Sequence, residues 1–175
     1  MKYYLLIVGL ALSSLIAACT QIDKEVAKAT LNSTANNEVI GAVKFFSLAD
    51  GKMKMELELN FPERADSVVA VHFHEHGDCG NMGENTHGHW NPTNENHGKW
   101  GSSAYHSGDI GNIQLDAKGH ATLTVATDRW NITSNDMNNI IGRGIIVHGG
   151  TDDYTTQPTG NSGPRVGCGV IEGIK

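Results

Sequence analysis

The chain has 175 residues, 39% of them hydrophobic and 18% charged, with 21 glycines and a formal net charge of −6, a size that fits one globular domain. Thirteen Lys and Arg against 19 Asp and Glu, with no basic block, exclude a protein that grips nucleic acid by charge. The unusual features are three cysteines and nine histidines. Seven histidines (His72, His74, His76, His87, His89, His97 and His106) fall within 35 residues.

In chain order, residues 1–18 combine a single Lys2, an apolar run from Tyr3 to Leu12 and then small residues, the pattern of a secretory signal peptide. The run is shorter than the roughly 20 apolar residues of a membrane span. Ile16-Ala17-Ala18-Cys19 resembles a bacterial lipobox, which implies cleavage before Cys19 and diacylation of its thiol, an anchor worth about 0.8 kcal/mol per buried methylene. An ordinary signal peptide with a cysteine near its cleavage point is the alternative. Thr20 lacks the Asp that favours inner-membrane retention in enteric lipoproteins. The expected location is therefore the periplasm or cell surface, on a bacterial membrane, with the outer membrane favoured. Residues 19–37 are polar and aperiodic and read as a lipid-anchored N-terminus and tether, leaving 38–175 as the domain.

From Val39 onward the period is two. Lys52 to Phe61 alternates apolar and polar residues throughout, as a half-buried strand does. Similar short runs occur at 39–46, 68–76, 110–115, 120–127, 143–148 and 165–171, and Asp116-Ala117-Lys118-Gly119 supplies turn chemistry for a hairpin between two of them. No amphipathic helix of useful length occurs, and Asp136 to Ile141 offers one turn at most. Many short strands predict an all-β sandwich or flattened barrel. Residues 77–108 and 149–164, rich in Gly, Asn and Thr, are longer than ordinary connections and so are expected to carry function.

In an exported chain with Cys19 acylated, Cys79 and Cys168 form an even pair in an oxidising compartment and read as a disulfide. Ligation of a metal is the alternative, without a Cys-x-x-Cys spacing to support it. The strand period over Val68 to His74 puts Val69, Val71 and Phe73 on the core face and His72 with His74 on the other, where imidazoles at i and i+2 can chelate one ion. His89, His97, His106 and Asp109 follow at His-x7-His-x8-His-x2-Asp on a Gly-rich segment. Three imidazoles and a carboxylate suit tetrahedral Zn²⁺, although a solvated His/Asp-rich loop has the same composition. His148 ends the apolar run Gly144-Ile145-Ile146-Val147 and is followed by Asp152-Asp153.

Val71-His72-Phe73-His74-Glu75, Gly77-Asp78-Cys79, Gly88-His89-Trp90-Asn91-Pro92, His106-Ser107-Gly108-Asp109-Ile110-Gly111-Asn112, Val147-His148, Asp152-Asp153 and Thr159 through Ile171 resemble, in order, the blocks of the copper/zinc superoxide dismutases. The resemblance runs from about residue 38 to 174. It implies a Greek-key, eight-stranded flattened barrel of the immunoglobulin-like sandwich type with two long functional loops. It also implies an oxidoreductase that dismutates superoxide to dioxygen and hydrogen peroxide in the cell envelope, with one copper and one zinc ion per subunit. Copper would be held by His72, His74, His89 and His148, and zinc by His89, His97, His106 and Asp109, with the His89 imidazole bridging the two. Asp152 would bond the outer nitrogens of a copper and a zinc histidine. Cys79 and Cys168 would form the family disulfide, Arg165 would dock the anionic substrate, and Thr159 would narrow the channel mouth. A metal-binding relative without activity is the rival reading, and it requires losses among the copper ligands or the arginine that this chain does not have. Loop 149–164 carries no lysine, so shallow electrostatic steering is expected. Ile140-Ile141-Gly142 and Gly169-Val170-Ile171 suggest a homodimer. His76, His87 and His120 fall outside the set.

Overall fold

The structure, a computed structural model, describes residues 23–175. The expected signal peptide and Cys19 lie outside the described residues. Nine strands follow one another: β1 (Lys24–Ser33), β2 (Val39–Ser47), β3 (Met53–Asn60), β4 (Val68–His74), β5 (Asp109–Gln114), β6 (His120–Thr127), β7 (Gly144–His148), β8 (Arg165–Val170) and the two-residue β9 (Glu172–Gly173). Eight of them are ordered β5-β4-β7-β8-β1-β2-β3-β6, all pairs antiparallel, while β9 pairs with β1. The ends β5 and β6 approach each other, so the sheet curls into a nearly closed barrel. Connections from β3 to β4 and from β6 to β7 jump between the two halves, as in a Greek key.

β3 follows its sequence pattern, with Met53, Met55, Leu57 and Leu59 buried and the alternate residues facing out. Inside the barrel Phe45, Phe73 and Trp130 meet with centroids 5.1 to 6.2 Å apart, within the range where edge and tilted aromatic contacts are favourable.

Two expectations need correction. Residues 24–33 do not belong to a tether, because they form β1, which pairs with β2, β8 and β9, so the domain begins at Lys24. The alternation of β1 is broken by a register shift between Glu25 and Ala27 that buries both Val26 and Ala27, and its other buried residues include the small Ala29 and Ser33. The second concerns Asp116–Gly119. The turn forms, with Asp116 N–H donating to the His120 carbonyl at 3.0 Å, but no ladder follows it. β5 pairs with β4 and β6 pairs with β3, so the turn spans the gap in the barrel.

Candidate metal centre

β4 presents Val69, Val71 and Phe73 to the core, as its period predicts, yet His72 and His74 on its other face are equally buried. Segments of the two long loops cover them. Phe73 N–H donates to the Gly108 carbonyl at 2.8 Å, Trp90 N–H to the Phe73 carbonyl at 2.8 Å, and Gly108 N–H to the Trp90 carbonyl at 3.1 Å. A Cβ on Gly108 would stand 2.5 Å from the Phe73 carbonyl oxygen, so this close backbone crossing requires glycine. Trp130 Nε1–H, buried in the core, donates to the Ser107 carbonyl at 2.8 Å, tying the loop to the barrel interior.

Two buried donor sets result. His72, His74, His89 and His148 form one and His89, His97, His106 and Asp109 the other, each with its ligand atoms within 4.8 Å of one another. His89 belongs to both. Hydrogen bonds to the far side of four of these rings leave the inward nitrogen free as a ligand. His74 Nδ1–H donates to the His87 carbonyl at 2.9 Å and His148 Nδ1–H to the Gly163 carbonyl at 3.1 Å, which leaves the two Nε2 atoms facing each other at 3.4 Å. His72 Nε2–H donates to Asp152 Oδ2 at 2.8 Å and His97 Nε2–H to Asp152 Oδ1 at 2.9 Å. One carboxylate thus orients a ring from each set, as outer carboxylates do around metal-ligating histidines.

The inward atoms carry the fit test. His72 Nδ1, His89 Nε2, His97 Nδ1 and His106 Nδ1 are buried without a hydrogen-bond partner. Nδ1 of His97 and of His106 stand 2.9 and 3.2 Å from Asp109 oxygens, close to the carboxylate but not aligned for hydrogen bonding. Unpartnered buried polar atoms are costly, and four of them converging on two points fit two cations. Burial, with His89 beside it, holds the pKa of His74 down to about 2. Burial and His72 hold that of His148 to about 3. Burial takes His89 to about 4 against the pull of Asp109. These rings are neutral, the form that ligates metal. Burial also acts to lower His97, but the flanking carboxylates of Asp109 and Asp152 outweigh it and raise that ring to about 9. Both carboxylates, despite burial, lie well below the usual carboxylate range because of the imidazoles packed against them.

Arg165 is fixed by the loop after Cys79. Its Nη1 donates to the Gly83 carbonyl at 2.6 Å and to Thr86 Oγ1 at 2.7 Å, and its Nη2 to the His87 carbonyl at 2.7 Å. Of five guanidinium hydrogens, one on Nη2 and the one on Nε remain for other partners. A cleft of about 360 Å³ lined by His74, Glu84, His89, His148, Thr159 and Arg165 opens beside it. Cys79 and Cys168 are joined as a disulfide.

Sequence reasoning missed three residues here. Asn112 clamps the Asp152 backbone with both ends of its amide, at 2.8 and 2.9 Å, and Gln157 clamps the His97 backbone in the same way, at 2.8 and 3.0 Å. Glu84 Oε1 lies 3.5 Å from Arg165 Nε. A strand asparagine, a loop glutamine and a loop glutamate carry no distinctive spacing, so only the fold reveals them. Glu75, His76 and His87 meet at the surface outside both sets, and His120 Nε2 lies on the barrel exterior 3.4 Å from Glu58.

The family described as copper/zinc superoxide dismutase (SODC) matches residues 39–171. The chain belongs to the copper/zinc superoxide dismutase family. It is 33% identical over 140 residues to Superoxide dismutase [Cu-Zn] 1 of Aquifex aeolicus (strain VF5), covering 77% of this chain and 81% of that protein. It is 42% identical over 120 residues to a putative superoxide dismutase [Cu-Zn] of Autographa californica nuclear polyhedrosis virus, covering 65% and 76%. Among solved structures it is similar to the clock protein EA4, with TM-score 0.75 and 29% identity over 85% of this chain and 94% of that one. It is likewise similar to a double mutant of a SOD-like protein from Bacillus subtilis, with TM-score 0.74 and 28% identity over 83% and 97%. The chain is thus an oxidoreductase of the superoxide dismutase type, and its two donor sets fit the copper and zinc of that family. The family match begins at β2, although β1 is hydrogen-bonded into the same barrel.

Proposed function

We propose that superoxide is dismutated in this protein at a copper centre held by His72, His74, His89 and His148 and bridged through His89 to a structural zinc held also by His97, His106 and Asp109. The observation that carries this is the membership of His89 in both donor sets, with Nδ1 2.9 Å from Asp109 Oδ1 and Nε2 buried without a partner. When bound, the copper supplies one-electron redox chemistry, so that two superoxide anions and two protons give dioxygen and hydrogen peroxide, while the zinc is redox-silent. His74 and His148, kept neutral by burial, offer Nε2 lone pairs at neutral pH. Asp152 fixes the tautomers of His72 and His97 by accepting from each Nε2–H. Arg165, immobilised by three bonds, keeps an Nη2 hydrogen for a small oxyanion, a role for which a guanidinium that never deprotonates is suited. Thr159 lines the cleft and limits the size of what enters. The test is superoxide consumption by metal-replete protein and by His89→Gln. Activity unchanged in the variant, with both metals still bound, refutes the bridge.

We further propose that the chain is exported, acylated at Cys19 and held on the outer membrane facing the periplasm or the cell surface, where it protects the envelope. Residues 1–19 support this reading. Radiolabelled palmitate should enter the wild type and not Cys19→Ala, which should be released into the soluble fraction; label in the variant refutes it. A homodimer is supported by Ile141 and the exposed Ile174, whereas Ile140 and Ile171 are spent in the core. Sedimentation of residues 20–175 at the monomer mass would exclude it.

A further inference from the structure

Glu75, His76 and His87 form a third cluster, fully at the surface, whose ligand atoms lie within 4.8 Å of one another. The same separation applies to each of the two buried sets. His76 stands two residues after His74, the last residue of β4, and His87 stands two residues before His89. Two backbone bonds draw the segments together: Glu75 N–H donates to the Gly88 carbonyl at 3.0 Å and His76 N–H to the Thr86 carbonyl at 3.2 Å. The two rings meet edge to face with centroids 4.7 Å apart. Their positions are therefore set by the backbone, while the side chains remain free to turn.

We propose that Glu75, His76 and His87 make a third metal site, one that takes a borderline divalent ion of the Zn²⁺ or Cu²⁺ kind. Two imidazoles and a carboxylate are the ligand set such ions prefer, and three protein ligands leave a position for water. Ligands about 2.0–2.1 Å from a tetrahedral ion stand roughly 3.3 Å from one another. Closing the cluster to that spacing needs only side-chain rotation, since all three residues are exposed. The ligands are on the protein surface, so the ion exchanges with solvent and binds less tightly than ions in the buried sets. It sits close to the dinuclear centre, because the His87 carbonyl accepts from both His74 Nδ1 and Arg165 Nη2. The site does not depend on the redox reading of the buried pair.

Full-length protein loaded with copper and zinc, freed of excess ions and assayed for metal content, is titrated with Zn²⁺ by calorimetry. One equivalent beyond the buried ions is expected. His76→Gln and His87→Asn should each weaken it at least tenfold, with the content of the buried sites unchanged, and His120→Gln should leave it as in the wild type. Asn is used at residue 87 because φ there is +61°, a region that Asn tolerates better than Gln. Cu²⁺ added in place of Zn²⁺ should give an electron spin resonance signal coupled to two nitrogens. Absence of a further equivalent in the wild type overturns the proposal. So does a further equivalent that persists in the His76→Gln/His87→Asn double variant, since the ion is then bound elsewhere.

Discussion

Removing the disulfide is the perturbation whose size follows most directly from the structure. Cys79 and Cys168 are 89 residues apart in the chain. Cross-linking at that separation removes about 15 cal/mol/K of entropy from the unfolded chain, equivalent to about 4–5 kcal/mol at 25 °C. For a domain of this size each kcal/mol moves the melting temperature by about 2–4 °C, so Cys79→Ser/Cys168→Ala should melt roughly 8–20 °C below the wild type. The cross-link also acts on the site. Cys79 opens the loop whose Gly83, Thr86 and His87 hold the guanidinium of Arg165, and Cys168 lies three residues beyond Arg165 on β8. Differential scanning calorimetry of metal-free protein measures the first effect. Superoxide consumption by metal-replete protein measures the second, expected as a several-fold loss with copper and zinc content unchanged. A melting shift below about 3 °C refutes the loop-closure reasoning. Activity lost in parallel with metal shows that the bond supports the ligands and not Arg165.

Three further outcomes are expected. Asp152→Asn puts an amide N–H against one of the two imidazole N–H groups that Asp152 now accepts, so chelators should strip metal with 10–100-fold less resistance; unchanged resistance refutes the orienting role. Glu84→Gln removes a negative charge beside Arg165 and should raise the rate about twofold at low ionic strength, with the gain vanishing in high salt; the wild-type rate itself should fall only shallowly with salt, and a steep fall contradicts that. Metal-free protein should be most stable near pH 6.5. Below that pH, stability is lost because unfolding lets His89, His148 and His74, held to about 4, 3 and 2 in the fold, take up protons. Above it, the contribution of His97, raised to about 9, is lost as its folded ring deprotonates. Melting temperatures that rise steadily from pH 5 to 9 refute this balance.

Seven of the barrel strands are legible in the sequence because each carries either an alternating pattern, as β3 does, or a short apolar run such as that of β7. β1 is not, since its register shift at Glu25/Ala27 puts two successive small apolar residues inside and leaves a run that reads as aperiodic. Strand phase pairs His72 with His74 correctly but does not show that their face is covered, because the covering loops are placed by backbone bonds at Phe73, Trp90 and Gly108 that no side-chain pattern announces. The donor sets themselves are legible, since a ligand's identity resides in its side chain. The parts that hold them in place, the amides of Asn112 and Gln157 and the loop carbonyls around Arg165, are local contacts between segments far apart in the chain and emerge only with the fold.

If Cys19 is acylated as proposed, the start of β1 at Lys24 sets how far the barrel could stand from the membrane. Five peptide steps separate Cys19 from Lys24, a reach of at most about 18 Å, so an acyl group on Cys19 would keep the barrel against the lipid headgroups with little freedom to wander. The ten residues of β1 then run about 33 Å along the barrel before Thr34, whose Oγ1–H donates to the Arg165 carbonyl at 2.9 Å. Moored at one end of that strand, the enzyme would open its cleft near the other, turned from the bilayer toward superoxide arriving through the aqueous space.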